Sequence, residues 1–323
     1  MTLVGGKGQV EIVDVALRDG LQNESNDVST GQKLVLLEKL IDAGLRSIQV
    51  GSFVSRKLVP RMADIENLAA RLGAYPGVKF CALIFNSRGF ERALAAGFRR
   101  MEFVLAVSET FNLRNANRST ADSLNYLQQI GPAAMREEVS IRVGLATAFH
   151  CPFEGRTSVS AIVERARQAR DTGPWPLVLG DTDGMCFPDQ VNETVTALRE
   201  KLAVQPTDLI LHFHDTYGRA LANAFAGLIA GIRIFDAATG GLGGCPFCPG
   251  ASGNVATEDL VTFFEGLGYA TGIDQEKLLD SAEISLSYSS QPYQGHILRA
   301  RRPQAASAGA RLGGVVDLDS KSV

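Results

Sequence analysis

Short apolar runs rich in β-branched residues recur along the chain and alternate with segments of helical spacing. Between most runs, apolar residues lie three and four positions apart, as in Thr30 to Leu45, where Leu34, Leu37 and Leu40 share one face. This alternation is typical of an α/β fold with a parallel sheet. Eight runs predict strands, at residues 9–17, 47–53, 78–85, 101–108, 140–148, 176–182, 208–216 and 232–238.

Eight strand–helix units in about 250 residues match the size of a (β/α)8 TIM barrel, and an open doubly wound sheet is the alternative. Two more helical segments, 256–267 and 274–288, predict extra C-terminal helices. No shift in composition marks a second domain, so residues 1–300 are predicted to form a single domain. The remaining residues, 301–323, are rich in Ala, Gly, Ser and charge without periodicity, which predicts a disordered tail.

Charge and hydropathy exclude several classes of protein. The 323 residues carry 32 Lys and Arg against 35 Asp and Glu, without the dense basic run expected of a nucleic-acid-binding protein. No apolar stretch approaches the roughly 20 residues of a membrane span, and the first residues lack the apolar segment of a signal peptide. We therefore expect neither a nucleic-acid nor a membrane partner, and a cytoplasmic location. Five cysteines are too few and too scattered for a disulfide framework.

Polar residues concentrate where the predicted strands end, and active sites of barrel enzymes lie at that face. His212 and His214 are two positions apart on one predicted strand, so both side chains point to the same side. Two buried histidines satisfied by other hydrogen bonds are the structural alternative. Asp19 ends the first predicted strand and is expected to meet them. Such a set predicts a divalent ion, Mg²⁺ or Mn²⁺, rather than a closed zinc site, and Arg18 becomes a candidate for stabilising oxyanion charge.

Residues 240–254 form a loop with six glycines and a C-x-x-C pair, Cys245 and Cys248. A thioredoxin-type pair would open a helix, and a zinc ribbon would need a second pair, so neither interpretation is favoured. A glycine-rich lid that carries a reactive thiol at Cys245 remains, with Cys248 an ordinary small residue. The dipeptide His150-Cys151 cannot form a catalytic dyad by itself, because neighbouring strand residues point to opposite faces.

Five motifs together resemble the hydroxymethylglutaryl-CoA lyase family, over residues 10 to about 280. They are RDGLQNE (18–24), SFVS (52–55), LGDT (179–182), HFHDTYGRALAN (212–223) and GLGGCP with GASGNVATEDL (241–246 and 250–260). The resemblance implies a metal-dependent carbon–carbon lyase, acting as a homodimer on a 3-hydroxyacyl-CoA thioester, first of all 3-hydroxy-3-methylglutaryl-CoA. It implies metal ligands at Asp19, His212, His214 and Asn254, catalytic residues at Arg18, Asp181 and Cys245, and substrate-binding residues at Gln49, Ser52, Arg142, Gly144 and Thr182.

The sequence departs from that family at four positions expected to line the acyl pocket. Gln49 stands where the lyases usually carry Glu, which would remove a negative charge near Arg18. Gly144 and Ala146 replace Tyr and Ser, and His150 replaces Gly, so a larger or differently polar acid is an alternative substrate, such as a citramalyl- or isohexenylglutaryl-type thioester. Gln49 also leaves open a noncatalytic barrel that retains the metal site. A condensing synthase is disfavoured, because the glycine-rich motifs belong to the lyases.

Overall fold

A computed structural model gives the fold and describes residues 7–244, 253–290 and 295–301. Its strands are β1 Glu11–Asp14, β2 Ser47–Ser52, β3 Lys79–Ile84, β4 Arg100–Ala106, β5 Ser140–Ala146, β6 Leu177–Asp181, β7 Leu209–Phe213 and β8 Ile234–Ala237. All pairings among them are parallel, and β1 pairs with both β2 and β8, which closes the sheet into a barrel. The predicted (β/α)8 barrel is confirmed, and the open doubly wound sheet is wrong.

Helices follow most strands and cover the outside of the barrel. Side-chain caps fix several of their starts: Ser29 accepts a hydrogen bond from the Gln32 N–H, and Gln32 reaches back to the Ser29 N–H in a capping box. Two helices, Glu109–Ala116 and His296–Arg301, are additional to those that the helical spacing of the sequence predicts. The helices are α1 Thr30–Asp42, α2 Ile65–Leu72, α3 Ser87–Ala95, α4 Glu109–Ala116, α5 Thr120–Arg136, α6 Val159–Arg170, α7 Pro188–Leu202, α8 Ala220–Ile229, α9 Thr257–Gly266, α10 Gln275–Ser287 and α11 His296–Arg301.

The barrel strands separate apolar and polar residues by alternation. On β5, Val143 and Leu145 are fully buried in the core between strands and helices. The residues between and before them, Arg142 and Gly144, face the barrel interior instead, where Arg142 pairs with Asp236 of β8. Charged side chains therefore pair inside the barrel, while Val143 and Leu145 belong to the apolar core outside it.

All eight predicted strands run past their observed ends, and the first and fifth show why. The apolar pattern takes the first to residue 17, but β1 stops at Asp14, whose carboxylate accepts the Ala16 N–H and starts a single π-helical turn, Ala16–Gly20. The fifth predicted strand includes residue 148, but Thr147 adopts a left-handed φ of 54° and ends it. His150–Cys151 instead pairs with Gly155–Arg156 in a short antiparallel hairpin.

Within the described ranges, no helix is both long and apolar enough to cross a bilayer. Cys245 and Cys248 lie outside the described residues, as does nearly all of the predicted tail. Arg301, the first residue of that tail, instead ends α11.

Candidate active site

The turn after β1 carries Arg18 and Asp19 to the C-terminal face of the barrel. The N–H groups of Arg18, Asp19 and Gly20 all donate to the Val15 carbonyl, at 3.1, 2.8 and 3.2 Å. Asp14, fully buried beneath this turn, also accepts the Thr239 N–H, the Thr239 hydroxyl and the Thr257 hydroxyl. Thr239 and Thr257 flank the glycine-rich loop, so one carboxylate fastens the Arg18-Asp19 turn to both flanks of that loop.

Asp19, His212 and His214 form a cluster whose ligand atoms all lie within 4.8 Å of one another. Asp19 Oδ2 is 3.9 Å from His212 Nε2 and 3.6 Å from His214 Nε2. Asn254 joins them by donating from Nδ2 to the same Asp19 oxygen at 2.8 Å. The structure thus brings together all four residues implied as metal ligands.

The donor set suits a divalent cation. Asn254 Oδ1 is buried and has no hydrogen-bond partner among the described residues, although a buried amide oxygen normally has one. Burial opposes ionisation of Asp19, but the Arg18 guanidinium and the two histidines outweigh it and hold its pKa well below the usual range. One anionic oxygen, one amide oxygen and two imidazoles are compatible with Mg²⁺ or Mn²⁺.

Asp236, on β8, orients one of these histidines. Its Oδ2 lies 3.3 Å from His212 Nδ1, which leaves Nε2 to face Asp19. Burial opposes protonation of His212, but the hydrogen bond to Asp236 and the charge of Asp19 raise its pKa. Arg142 in turn binds Asp236 in a bidentate pair, at 2.8 and 3.0 Å. Arg142 is expected from the resemblance to bind substrate, and the structure places both of its terminal nitrogens on carboxylates.

The second of those carboxylates belongs to Glu102 on β4, 2.5 Å from Arg142 Nη2. Glu102 also accepts the amide N–H of Gln49 at 2.7 Å, and the Gln49 oxygen accepts from Arg18 Nε. A continuous chain therefore runs from Arg18 through Gln49, Glu102 and Arg142 to Asp236. From the sequence, Gln49 is expected to remove a carboxylate near Arg18. In the structure, Glu102 supplies a carboxylate on the side of the Gln49 amide that faces away from Arg18.

Four of the other expected residues lie nearby without joining the ligand cluster. Thr182 Oγ1 accepts the Thr147 N–H at 2.8 Å, and Ser52 Oγ is buried without a hydrogen-bond partner in the described ranges. Gly144 lies against Glu102. Asp181 Oδ1 accepts the Cys186 N–H at 3.2 Å, while burial, helped by the charge of Asp183, raises the Asp181 pKa well above its usual range.

His150 and Asp183 form a pair that the sequence does not predict. Nδ1 of His150 lies 2.6 Å from Oδ2 of Asp183, and Asp183 is itself only 5% exposed. The two residues follow β5 and β6, at the same face as the cluster. The departure at His150 is therefore accompanied by a buried acid that pairs with it.

Glu102, Asp236 and Asp183 are the residues of this site that the sequence reasoning missed. The sequence contained a signal for two of them, because Glu102 and Asp236 are the lone acids of predicted strands that are mostly apolar. A charge at an inward position of a barrel strand needs a partner, which marks it as part of a polar network.

Comparison with known proteins agrees with this geometry. The sequence matches the HMGL-like family over residues 9–284. The chain belongs to the HMGL-like family. It is 42% identical over 276 residues to the mitochondrial hydroxymethylglutaryl-CoA lyase of Mus musculus, covering 85% of this chain and 84% of that one. It is 41% identical over 285 residues to the (R)-citramalyl-CoA lyase of Chloroflexus aurantiacus, covering 85% and 89%.

A solved HMGL-like structure confirms the family fold. The HMG-CoA lyase of Acinetobacter baumannii, solved with coenzyme A and 3-methylmalate, superposes with a TM-score of 0.86 at 35% identity, over 91% of this chain and 95% of that one. The protein is an enzyme of the lyase type. Because relatives of similar identity are named for different acyl groups, family membership alone does not select the substrate.

Proposed function

We propose that the protein cleaves 3-hydroxy-3-methylglutaryl-CoA to acetyl-CoA and acetoacetate, with Mg²⁺ or Mn²⁺ as cofactor. The observation that carries the proposal is the cluster of Asp19, His212, His214 and Asn254 beside the guanidinium of Arg18. Those four residues would hold the ion. When bound, the divalent ion supplies Lewis-acid polarisation of substrate oxygens.

Cleavage of a 3-hydroxyacyl thioester removes the hydroxyl proton, breaks the carbon–carbon bond and leaves the electron pair on the enolate of acetyl-CoA. Arg18 is suited to stabilise that enolate, because Nε is fixed by Gln49 and Nη1 by Asp19. Nη2 has no hydrogen bond within the described part of the chain and is free to donate to substrate. Preorganised donors of this kind stabilise charge as it develops, at little cost in reorganisation.

Two proton-transfer groups complete the proposed reaction. Asp181 is fully buried, and burial raises its pKa, so its ionised carboxylate is a strong base that can accept the proton of the substrate hydroxyl. Cys245, or a water beside it, would return a proton to the enolate carbon. Cys245 lies in sequence between Gly243 and Asn254, and both of these residues lie beside Asp19. This position in the glycine-rich loop supports the proposed role.

Citramalyl-CoA is a second candidate substrate. The observation in its favour is the His150–Asp183 pair, which adds polar groups at the face of the barrel that carries the cluster. At Gly144, the space that a side chain would occupy lies against the Glu102 carboxylate, 2.7 Å from a Cβ atom built there. Gln49, Ser52 and Thr182 stay proposed substrate contacts.

The decisive experiment is a panel of 3-hydroxyacyl-CoA thioesters, including hydroxymethylglutaryl-CoA, both citramalyl-CoA enantiomers and an isohexenylglutaryl-type thioester, with products identified by mass spectrometry. We expect the highest kcat/KM with hydroxymethylglutaryl-CoA, loss of turnover on chelation, and recovery with Mn²⁺ or Mg²⁺. Preference for a citramalyl thioester would select the second candidate. No cleavage of any thioester with metal present would indicate a noncatalytic barrel.

The cytoplasmic location and the homodimer stay predictions. Cell fractionation and sedimentation velocity of the full chain test them independently of the reaction.

A further inference from the structure

The chain of contacts around the barrel interior closes on itself. From Arg18 it passes through Gln49, Glu102 and Arg142 to Asp236, and from there His212 and Asp19 lead back to Arg18. Five of its members stand on five different strands, at positions 49, 102, 142, 212 and 236. Such a closed network restricts each side chain to the orientation that its two neighbours accept.

Gln49 has the least freedom in this network. A glutamine amide has one accepting and one donating end, and here the oxygen faces Arg18 Nε while the nitrogen faces Glu102 Oε2 at 2.7 Å. Glu102 is 4% exposed and carries only acceptors when ionised, so it selects this orientation of the amide. A reversed amide would point the Gln49 N–H groups at Arg18 Nε. The Gln49 amide and Arg18 Nε would then each lack an acceptor.

Glu102 also fixes which residue can stand beside it. A Cβ atom at Gly144 would lie 2.7 Å from Glu102 Oε1 and 3.0 Å from Val104 Cγ2. The first distance is too short for a carbon–oxygen contact, so any side chain at position 144 would displace the carboxylate. Gln49, Glu102 and Gly144 are therefore mutually dependent, although they stand on three different strands.

The charge balance points the same way. Glu102 contacts Arg142 at 2.5 Å on one side and the Gln49 amide on the other. A carboxylate thus lies between the two guanidinium groups of the barrel interior, but one residue removed from Arg18. Because the Gln49 nitrogen donates to Glu102, the Gln49 oxygen faces Arg18, and the guanidinium contacts one carboxylate, Asp19, and one amide.

We propose that Glu102 is a positioning residue for the lyase reaction, which acts through the Gln49 amide to aim the Arg18 guanidinium at the substrate enolate. Gly144 is required because it makes room for this carboxylate. The inference rests on the proposed lyase function, since it assigns Arg18 the role of stabilising the enolate.

Exchange of the acid and the amide gives the sharpest test. In Gln49→Glu the carboxylates at 49 and 102 face each other, and in Glu102→Gln the carboxylate between the two guanidinium groups is lost. In the double variant Gln49→Glu/Glu102→Gln every donor has an acceptor again. Arg18 and the introduced amide at position 102 then donate to the introduced carboxylate at position 49, and Arg142 donates to the oxygen of that amide. We expect kcat to fall about tenfold or more in each single variant, with KM changed less than about threefold, and to recover in the double variant to within about threefold of the wild type.

Independent effects would overturn the proposal: if the two single losses multiply in the double variant, Glu102 and Gln49 do not act on Arg18 as a unit. Mn²⁺ titration of each metal-free variant by calorimetry is expected to give affinities within about threefold of the wild type, which separates positioning of Arg18 from loss of the ion. A drop in Mn²⁺ affinity that parallels the loss of kcat would contradict the positioning role.

Gly144→Ala provides a second test. It is expected to reduce kcat in the wild type, but to add less than about twofold in a Glu102→Ala background, where the clash is removed. An undiminished effect in that background would contradict the steric link. If the wild type cleaves no thioester, the proposed function fails. The free energies of unfolding of the same single and double variants then still measure the coupling between positions 49, 102 and 144.

Discussion

Asn254 Nδ2 donates to Asp19 Oδ2 at 2.8 Å, although the two residues are 235 positions apart in the sequence. The same Nδ2 donates to the Leu242 carbonyl at 2.9 Å, which joins the two flanks of the glycine-rich loop. Gly243 makes this possible, because a Cβ atom there would lie 2.6 Å from Asn254 Nδ2. The loop that carries Cys245 is thus fastened at its base to the Asp19 carboxylate.

Asn254→Ala is expected to weaken Mn²⁺ binding about tenfold or more, because it removes the buried Oδ1 that has no protein partner in the described ranges. Calorimetric titration of the metal-free protein measures this. Asn223→Ala is a matched control, since it also removes a buried amide, one that donates to the Cys186 carbonyl. Equal Mn²⁺ affinity in Asn254→Ala and the wild type would remove Asn254 from the ligand set.

Asp236→Asn is expected to weaken Mn²⁺ binding about 10- to 100-fold, because the amide no longer fixes His212 with Nε2 facing Asp19. Titration with Mn²⁺, followed by electron paramagnetic resonance of the free ion, reports the affinity. Asp208→Asn changes an acid of the same type at the opposite end of the same barrel, where it lies 3.7 Å from Arg170, and should leave the affinity unchanged. An unaltered affinity in Asp236→Asn would mean that Asp236 supports the barrel but does not orient the ligand.

The meeting of Asp19, His212 and His214 could be predicted from sequence, whereas the pairing of residues in the network behind them could not. His212 and His214 share a face by the two-residue period of a strand, and barrel closure brings Asp19 beside them. Which acid meets Arg142, by contrast, depends on side-chain reach across the barrel from β4 and β8. No local pattern contains that information.

The boundaries of the strands show the same limit. The predicted strand from residue 9 to 17 is continuous in sequence, but the Asp14 carboxylate accepts the Ala16 N–H and turns the chain. The space beside Gly144 likewise depends on a residue distant in sequence, because the Glu102 Oε1 atom lies 2.7 Å from where a Cβ atom at position 144 would stand. A glycine in the sequence therefore indicates a cavity only where neighbouring residues leave the space beside it empty.

Arg18→Lys is expected to lower kcat about 10²- to 10³-fold while leaving Mn²⁺ affinity within about threefold. Lysine keeps the positive charge but cannot donate to Gln49 and Asp19 together and still present a nitrogen to the enolate. Steady-state kinetics with the best thioester of the panel measure the loss. Arg167→Lys, on the exposed face of α6, is the control for the chemical change alone. A lysine variant with full kcat would show that charge suffices and that the fork geometry of Arg18 has no role.

Asp181→Asn separates two roles for a buried acid. Asparagine resembles the protonated carboxyl in shape and can still accept the Cys186 N–H through its oxygen, so the loop 182–187 should keep its conformation. If Asp181 transfers a proton, kcat falls about 10²- to 10⁴-fold with an unchanged melting temperature. Thermal unfolding and kinetics on the same preparation test this. Near-normal kcat would assign Asp181 to holding the loop, and the proton transfer would need another group.

Glu258 is expected to make the stability of the protein depend on pH. It is 2% exposed, its Oε2 accepts the Gly240 N–H, and Oε1 has no hydrogen-bond partner within the described residues. Burial, with a smaller contribution from Asp259 and Asp14, raises its pKa from 4.5 to about 8. The folded protein therefore holds this proton at pH values where the unfolded chain has released it.

The free energy of unfolding should consequently fall as pH rises from about 4.5 to about 8, by at most roughly 1.4 kcal/mol per pH unit from this group, and level off above. Glu258→Gln resembles the protonated form and removes the dependence. We expect the stability difference between variant and wild type, measured by urea unfolding at several pH values, to grow in favour of the variant across that window. Glu193→Gln, an exposed pair with Arg156, should show a difference that does not vary in this way. A constant difference for Glu258→Gln would mean that Glu258 is ionised in the fold, and that Gly240 and the base of the glycine-rich loop are bound by a charged carboxylate.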